Sequence, residues 1–199
     1  MPDKSTDAQL LERANRGDEE AFLVLYRGHR DTVFRFAYRL LGSVEAAEDI
    51  TQDCFLSALK HPERFDERRA SLRTYLCAAA RNLAMKHFRR AGRETGIEDT
   101  PEDFVYRHAA PEQPLGKLLD EELSEIVRRA VAGLPPLQRE ALVLFEYEDF
   151  TLAEIAAITG ADTGTIKARL YRARESLRRS LAPYFKAREA AAAEALEKQ

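Results

Sequence analysis

Glu45, Glu48, Asp49, Gln52 and Asp53 recur at i, i+3, i+4, i+7 and i+8, the spacing of one face of a helix. Oxygen donors so placed suit two chemistries. They can ligate a hard cation such as Mg²⁺, or present a negative face to a basic partner. A cation site of this kind needs a second acidic helix close by, and the obvious mate, Glu146 with Asp149, lies beyond a long Gly- and Pro-rich stretch. That leaves a docking face for a basic partner or an ordinary solvated face. Ile50, Cys54 and Ala58 fall on the packing side of the same helix. A second constellation is "ADTGTIKARLYRAR", Ala161 to Arg174, where small residues alternate with Lys167, Arg169, Arg172 and Arg174. Such groups suit DNA phosphates and, near a helix N-terminus, base edges. Cys54 and Cys77 both sit in helical apolar patterns without CxxC or Cys/His spacing, which reads as buried free thiols in a reducing compartment. No catalytic residue, metal ligand, cofactor or small-molecule substrate is expected.

The 199-residue chain is 45% hydrophobic and 33% charged with a net charge of −3, the composition of a soluble folded protein. Its longest apolar run is far short of the roughly 20 residues of a membrane span, so no membrane insertion is expected. The opening residues carry no apolar signal core, which makes a cytoplasmic location the expectation. The small net charge hides an uneven distribution. Arg81 to Arg93 holds five bases and no acid, and Thr163 to Arg179 holds six bases against Glu175 alone. Between them, Glu94 to Glu125 holds ten acids against Arg107 and Lys117. Two basic patches with an acidic spacer imply two contacts with a polyanion.

Apolar spacing is helical nearly throughout residues 7–91. Gly42 and Ser43 end one helix and cap the next, Pro62 ends that one, and Ser71 caps a helix with the stripe Leu72, Leu76, Ala79 and Leu83. Residues 92–116 hold Gly92, Gly96, Pro101, Pro111, Pro114 and Gly116 without a period and read as a linker. Fully extended, it could set two domains roughly 80–90 Å apart. Residues 117–183 form a second helical unit, and residues 184–199 an alanine-rich helical tail that should fray. The expected fold is all-α: two small helical domains joined by an acidic flexible linker.

Within the second unit, Thr151 followed by Glu154 marks a capping box. Gly160 can take the positive φ of a tight turn, and Asp162 stands where the next helix needs an N-cap acceptor. Ile166, Leu170, Ala173 and Leu177 make the buried stripe. This pattern describes a helix-turn-helix with Thr163, Gly164, Lys167, Ala168, Tyr171 and Arg172 facing outward. Lys167 and Arg172 are the better candidates for base contact, Arg169 and Arg174 for phosphates or surface packing. A solvated basic helix in an ordinary bundle is the alternative, which the turn glycine and both caps disfavour.

"TLAEIAAITGADTGTIKARLYRARESLRR" resembles region 4 of bacterial extracytoplasmic-function (ECF) sigma factors, through Gly164-Thr165-Ile166-Lys167, Arg169-Leu170 and Arg172-Ala173-Arg174. "AEDITQDCFLSAL" resembles region 2.2, and "LRTYLCAAARNLAMKHFRR" resembles regions 2.3 and 2.4. The resemblance implies a promoter-specificity factor, no enzyme, that binds core RNA polymerase and directs it to promoter DNA. It implies −35 contacts from Thr163, Gly164, Thr165, Lys167, Ala168, Arg169, Tyr171 and Arg172. It implies −10 contacts and melting through Phe65, Arg73, Tyr75, Arg81, Asn82 and Lys86, whose aromatic and basic types suit unstacked bases; Tyr75 reads equally well as core. It places polymerase contacts on Glu48, Asp49, Gln52 and Asp53, and makes an anti-sigma factor a candidate partner. Two other readings are weaker: a stand-alone activator, which would need a receiver or ligand domain, and an all-α metal-dependent nucleotide pyrophosphatase. One helix-turn-helix neutralises few phosphates, so the chain is expected to read DNA poorly alone.

Overall fold

The computed structural model describes residues 6–94 and 118–197, with side chains for 6–89 and 123–186. Most of the segment read as a linker lies outside the described residues. Eight α-helices run through the described residues: α1 (Asp7–Asn15), α2 (Glu19–Leu41), α3 (Val44–Lys60), α4 (Leu72–Glu94), α5 (Leu118–Ala132), α6 (Pro136–Leu142), α7 (Leu152–Thr159) and α8 (Thr163–Glu197). No strand occurs among them.

Each break has a local chemical cause. The Asp18 carboxylate accepts the Ala21 amide at 3.0 Å to start α2, and Gly42, at φ 74°, ends it in the left-handed region. The Ser43 hydroxyl accepts the Ala46 amide, and the Ser71 hydroxyl accepts the Thr74 amide. Pro62 opens a single 3-10 turn, Pro62–Arg64, that redirects the chain after α3. In the second unit, Thr151 and Glu154 satisfy each other's backbone amides in a capping box. Gly160, at φ 70°, makes the turn into α8.

α1 and α2 pack with α3 and α4 around Phe36, Leu40, Leu41, Ile50, Cys54, Leu72 and Leu76, all buried. Each such Leu or Phe contributes roughly 1.5–3 kcal/mol by leaving water. The inward stripe of α4 differs from the sequence expectation. Leu72, Leu76, Ala80, Ala84 and Phe88 are buried, whereas Ala79 and Leu83 are only half covered. The reason is tertiary: α4 packs against α7 as well as α2 and α3, so its buried arc is wider and turned. α4 also continues to Glu94, into the segment expected to be linker. Likewise, α8 runs on through Pro183 into the alanine-rich segment, whose helix propensity is high.

Beyond α6 the backbone widens into a π-turn, Val143–Tyr147, and Asp149 takes φ 52°, the one non-glycine residue with positive φ among those described. This turn and α7 meet the first unit, and α5 and α6 touch α2. The two units, read from sequence as free to stand apart, are packed together. Arg139 is buried in this junction, donating Nη1 to the Leu40 carbonyl at 2.7 Å and Nη2 to the Leu134 carbonyl at 2.9 Å.

Thr151→Ala removes the acceptor for the Glu154 amide, and the expected loss is about 1 kcal/mol of stability. Urea unfolding of the two proteins followed by circular dichroism reads it as a lower midpoint at unchanged slope.

Candidate nucleic-acid interface

The helix-turn-helix owes its geometry to Asp162. Its Oδ1 accepts the Thr165 amide at 2.9 Å and its Oδ2 the Thr165 hydroxyl at 2.6 Å. These two bonds hold the Asp162 carboxyl below its usual range. Gly164 keeps that cap open, because a Cβ there would stand 2.9 Å from Asp162 Oδ1. Ile166, Leu170 and Ala173 are buried beneath, and Leu177 half covered.

Above the cap, Thr163, Gly164, Lys167, Ala168, Tyr171 and Arg172 are exposed on one surface, Tyr171 to 68%. Arg172 lies along the helix, its Nε 3.4 Å from the Ala168 carbonyl. The remaining −35 candidates are placed otherwise. Thr165 is half buried in the cap. Arg169, expected at DNA, turns inward: it is half buried and its Nη1 has neither solvent nor a hydrogen-bond partner. Its charge acts instead on the buried Glu140 carboxyl. The cause is position, since Arg169 precedes the buried Leu170 on the flank facing α6. Arg174 pairs with Glu146, Nε to Oε1 at 3.0 Å, and lies 5.5 Å from the Phe145 ring.

The −10 candidates also divide. Asn82 and Lys86 are exposed on α4. The Phe65 and Tyr75 rings lie 5.6 Å apart, tilted by 53° and both half buried, and burial pushes the Tyr75 hydroxyl up. Arg73 and Arg81, expected to face DNA, are instead taken up by the second unit. Arg73 donates to the Glu148 carbonyl and lies 3.9 Å from the Phe150 ring. Arg81 pairs with Glu140, whose side chain has no solvent exposure. Burial pushes the Glu140 carboxyl up, against the pull of Arg81.

On α3, Glu48, Asp49, Gln52 and Asp53 are exposed together with Glu45. None of the acids among them forms an ion pair with a described residue, so the face is free to meet a basic partner. No cluster of His, Cys, Asp and Glu that could hold a metal occurs among the described residues. Glu146, offered above as the mate of an α3 cation site, is instead bound to Arg174. Sequence reasoning overlooked Glu140 and Glu148. Both are charged residues beside exposed-looking neighbours, and only the contact between units buries them. A weak signal existed: Glu140 lies between Arg139 and Ala141 on a helix otherwise apolar on that side.

An all-α chain with a capped helix-turn-helix and a second basic, aromatic face belongs among DNA-reading transcription proteins. Residues 25–94 match the family Sigma-70 region 2, and residues 124–177 match Sigma-70, region 4. The ECF RNA polymerase sigma factor BldN of Streptomyces coelicolor is 31% identical over 90% of this chain and 67% of its own length. The ECF RNA polymerase sigma-E factor of Escherichia coli K12 is 31% identical over 92% of this chain and 98% of its own. Among solved structures, the sigma factor RpoE of Bartonella quintana, in complex with the anti-sigma factor NepR, superposes with a TM-score of 0.57 at 30% identity, covering 77% of this chain and 91% of the other. The chain belongs to the ECF RNA polymerase sigma factors, which recognise promoters and direct transcription initiation.

Cys54 and Cys77 are both buried and unpaired, and burial pushes each thiol up to about 12. Neither is a thiolate at neutral pH, so both should resist a thiol reagent in the native protein and react once it is unfolded. Time-resolved labelling with iodoacetamide, read by mass spectrometry, checks this; fast native labelling of either cysteine would contradict it.

Proposed function

We infer that the two helical units act as the two promoter-reading surfaces of this sigma factor, with the polymerase-docking face on the first unit. The first domain takes in residues 7–91, since α1 packs on α2 and α3 ahead of the matched family segment. The second takes in residues 117–183, with the intervening acidic stretch 92–116 as tether and 184–199 as a tail, which begins with the last turns of α8. Core RNA polymerase and promoter DNA are the partners, and the work is binding, not catalysis. A cytoplasmic location follows from those partners. The described residues contain no helix long and apolar enough to cross a membrane.

The observation that carries this reading is the exposed surface of the recognition helix. A cap fixes its N-terminus, and Lys167, Ala168, Tyr171 and Arg172 stand outward on its first turns. The N-terminal residues of such a helix meet base edges in a major groove, while its flanks meet phosphate. On the first domain, exposed Asn82 and Lys86, on the same face of α4 as Tyr75 at i+7 and i+11, supply with the Phe65–Tyr75 pair an aromatic and charged surface for unstacked −10 bases. Glu48, Asp49, Gln52 and Asp53 form the polymerase-docking face, whose exposed carboxylates favour a basic counterpart. An anti-sigma factor is the remaining partner in this reading, supported by the Bartonella quintana relative being bound to one.

Promoter-dependent transcripts from core polymerase plus this chain test the whole reading, and failure to co-purify with core polymerase would sink it. Arg172→Ala should cost roughly 1–3 kcal/mol of binding and relax specificity at one position in a −35 library. Uniform weakening across the library would mark Arg172 as a phosphate contact. Asp49→Lys with Asp53→Lys should weaken core binding while the circular dichroism spectrum stays unchanged; normal binding would reduce α3 to a solvated surface.

A further inference from the structure

One base of the recognition helix is kept away from the surface that its neighbours form. Lys167, Ala168, Tyr171 and Arg172 are exposed, whereas Arg169 is half buried on the flank of α8 that packs against α6. On that flank it follows Thr165 by four residues and precedes Arg172 by three. Its Nη1 is buried without a hydrogen-bond partner among the described residues, and so is Oε2 of Glu140 on α6. The Glu140 side chain has no solvent exposure, and its other oxygen, Oε1, accepts Nε of Arg81. Burial pushes the Glu140 carboxyl up, and the charges of Arg81 and Arg169 pull against it. Two unmet groups of opposite charge, Oε2 and Nη1, therefore act on each other across the α6–α8 contact.

Arginine can settle this conflict in either direction. Its long apolar stem lets the guanidinium reach inward to a carboxylate or outward to solvent from the same helix position. From the flank of a helix in a major groove, the outward direction leads to the phosphate backbone, which carries no sequence information. The inward direction is favoured by Glu140, because a carboxylate without water needs positive charge close to both oxygens. Arg81 serves one oxygen, and Arg169 supplies the charge nearest the other.

We propose that Glu140 is a positioning residue for DNA reading. It holds Arg169 inside the helix-turn-helix and so keeps one sequence-independent phosphate contact out of the recognition surface. This inference rests on the reading of α8 as the −35 surface and deepens it. Lys167 and Arg172 are left to carry the positive charge of the outward face, and the bare chain gains less affinity for arbitrary DNA than its base count implies.

Salt dependence tests this, because each phosphate neutralised adds about 0.9 to the slope of log K against log salt. The full chain is titrated into two fluorescent duplexes, one selected as a −35 element with core polymerase present and one of scrambled sequence. Glu140→Gln keeps the shape and removes the charge. It should steepen the slope by about 0.9 and tighten both duplexes by the same factor, roughly three- to tenfold at ~0.1 M salt. Glu140→Gln combined with Arg169→Gln should restore the wild-type slope. A steeper slope that persists in the double variant traces to Arg81 and overturns the proposal, as does an unchanged slope in Glu140→Gln. A change confined to the −35 duplex also overturns it, since Glu140 would then act on the aim of the helix. Arg169→Gln alone covers the case of a misfolded Glu140 variant: the slope should stay at the wild-type value, and a slope shallower by about 0.9 would place Arg169 on phosphate. Failure of the −35 reading shows elsewhere, as wild-type chain with core polymerase that binds the two duplexes alike while the slope differences stand.

Discussion

A carboxylate without access to water is tolerated only where other groups replace its hydration, and at Glu148 those groups are the guanidinium ions of Arg35 and Arg39. The relative placement of the two halves of this protein depends on that substitution. The donors sit on α2 and the acceptor on the turn after α6, so the pairing fixes region 4 against region 2. Around it, Phe150 covers Arg73, Arg139 reaches the end of α2, and α7 lies on α4. The wider buried arc of α4 and the inward turn of Arg81 are results of the same contact.

Electrostatics sort this chain's many charges by environment. Exposed acids on α3 form no ion pair with a described residue and are available to a basic surface. Buried acids, Glu140 and Glu148, are matched by arginines from the other unit. The bases divide in parallel: Lys86, Lys167 and Arg172 stay in water, while Arg35, Arg39, Arg81 and Arg139 are drawn into the junction. A net charge of −3 is therefore no obstacle to DNA binding. The bases left in water on α4 and α8 are few and local, which suits a protein whose affinity is completed by a larger partner.

Helix boundaries were legible because they are set by neighbours in sequence. Gly42 with Ser43, Ser71, Thr151 with Glu154, Gly160 and Asp162 each act across a few residues, and every one of these caps is formed. The outward surface of the recognition helix was legible for the same reason, since a cap and an apolar stripe leave one face over. The inward turn of Arg169 was not legible because it borders that stripe, where a small rotation decides between solvent and Glu140. The surroundings of Arg73 and Arg81 were not legible, because residues far along the chain cover them.

The sequence by itself determined the all-α class, most of the helix breaks among the described residues and the helix-turn-helix, which rest on local hydrogen bonding and periodic burial, and its motifs carried the resemblance to the family. Only the tertiary structure decided which basic residues face water, how far α4 is buried, and that Glu140 and Glu148 are interior charges. Those properties arise from pairings between residues some sixty to over a hundred positions apart. An isolated charge costs too much to bury, and no local pattern announces that its counter-charge will arrive from another helix.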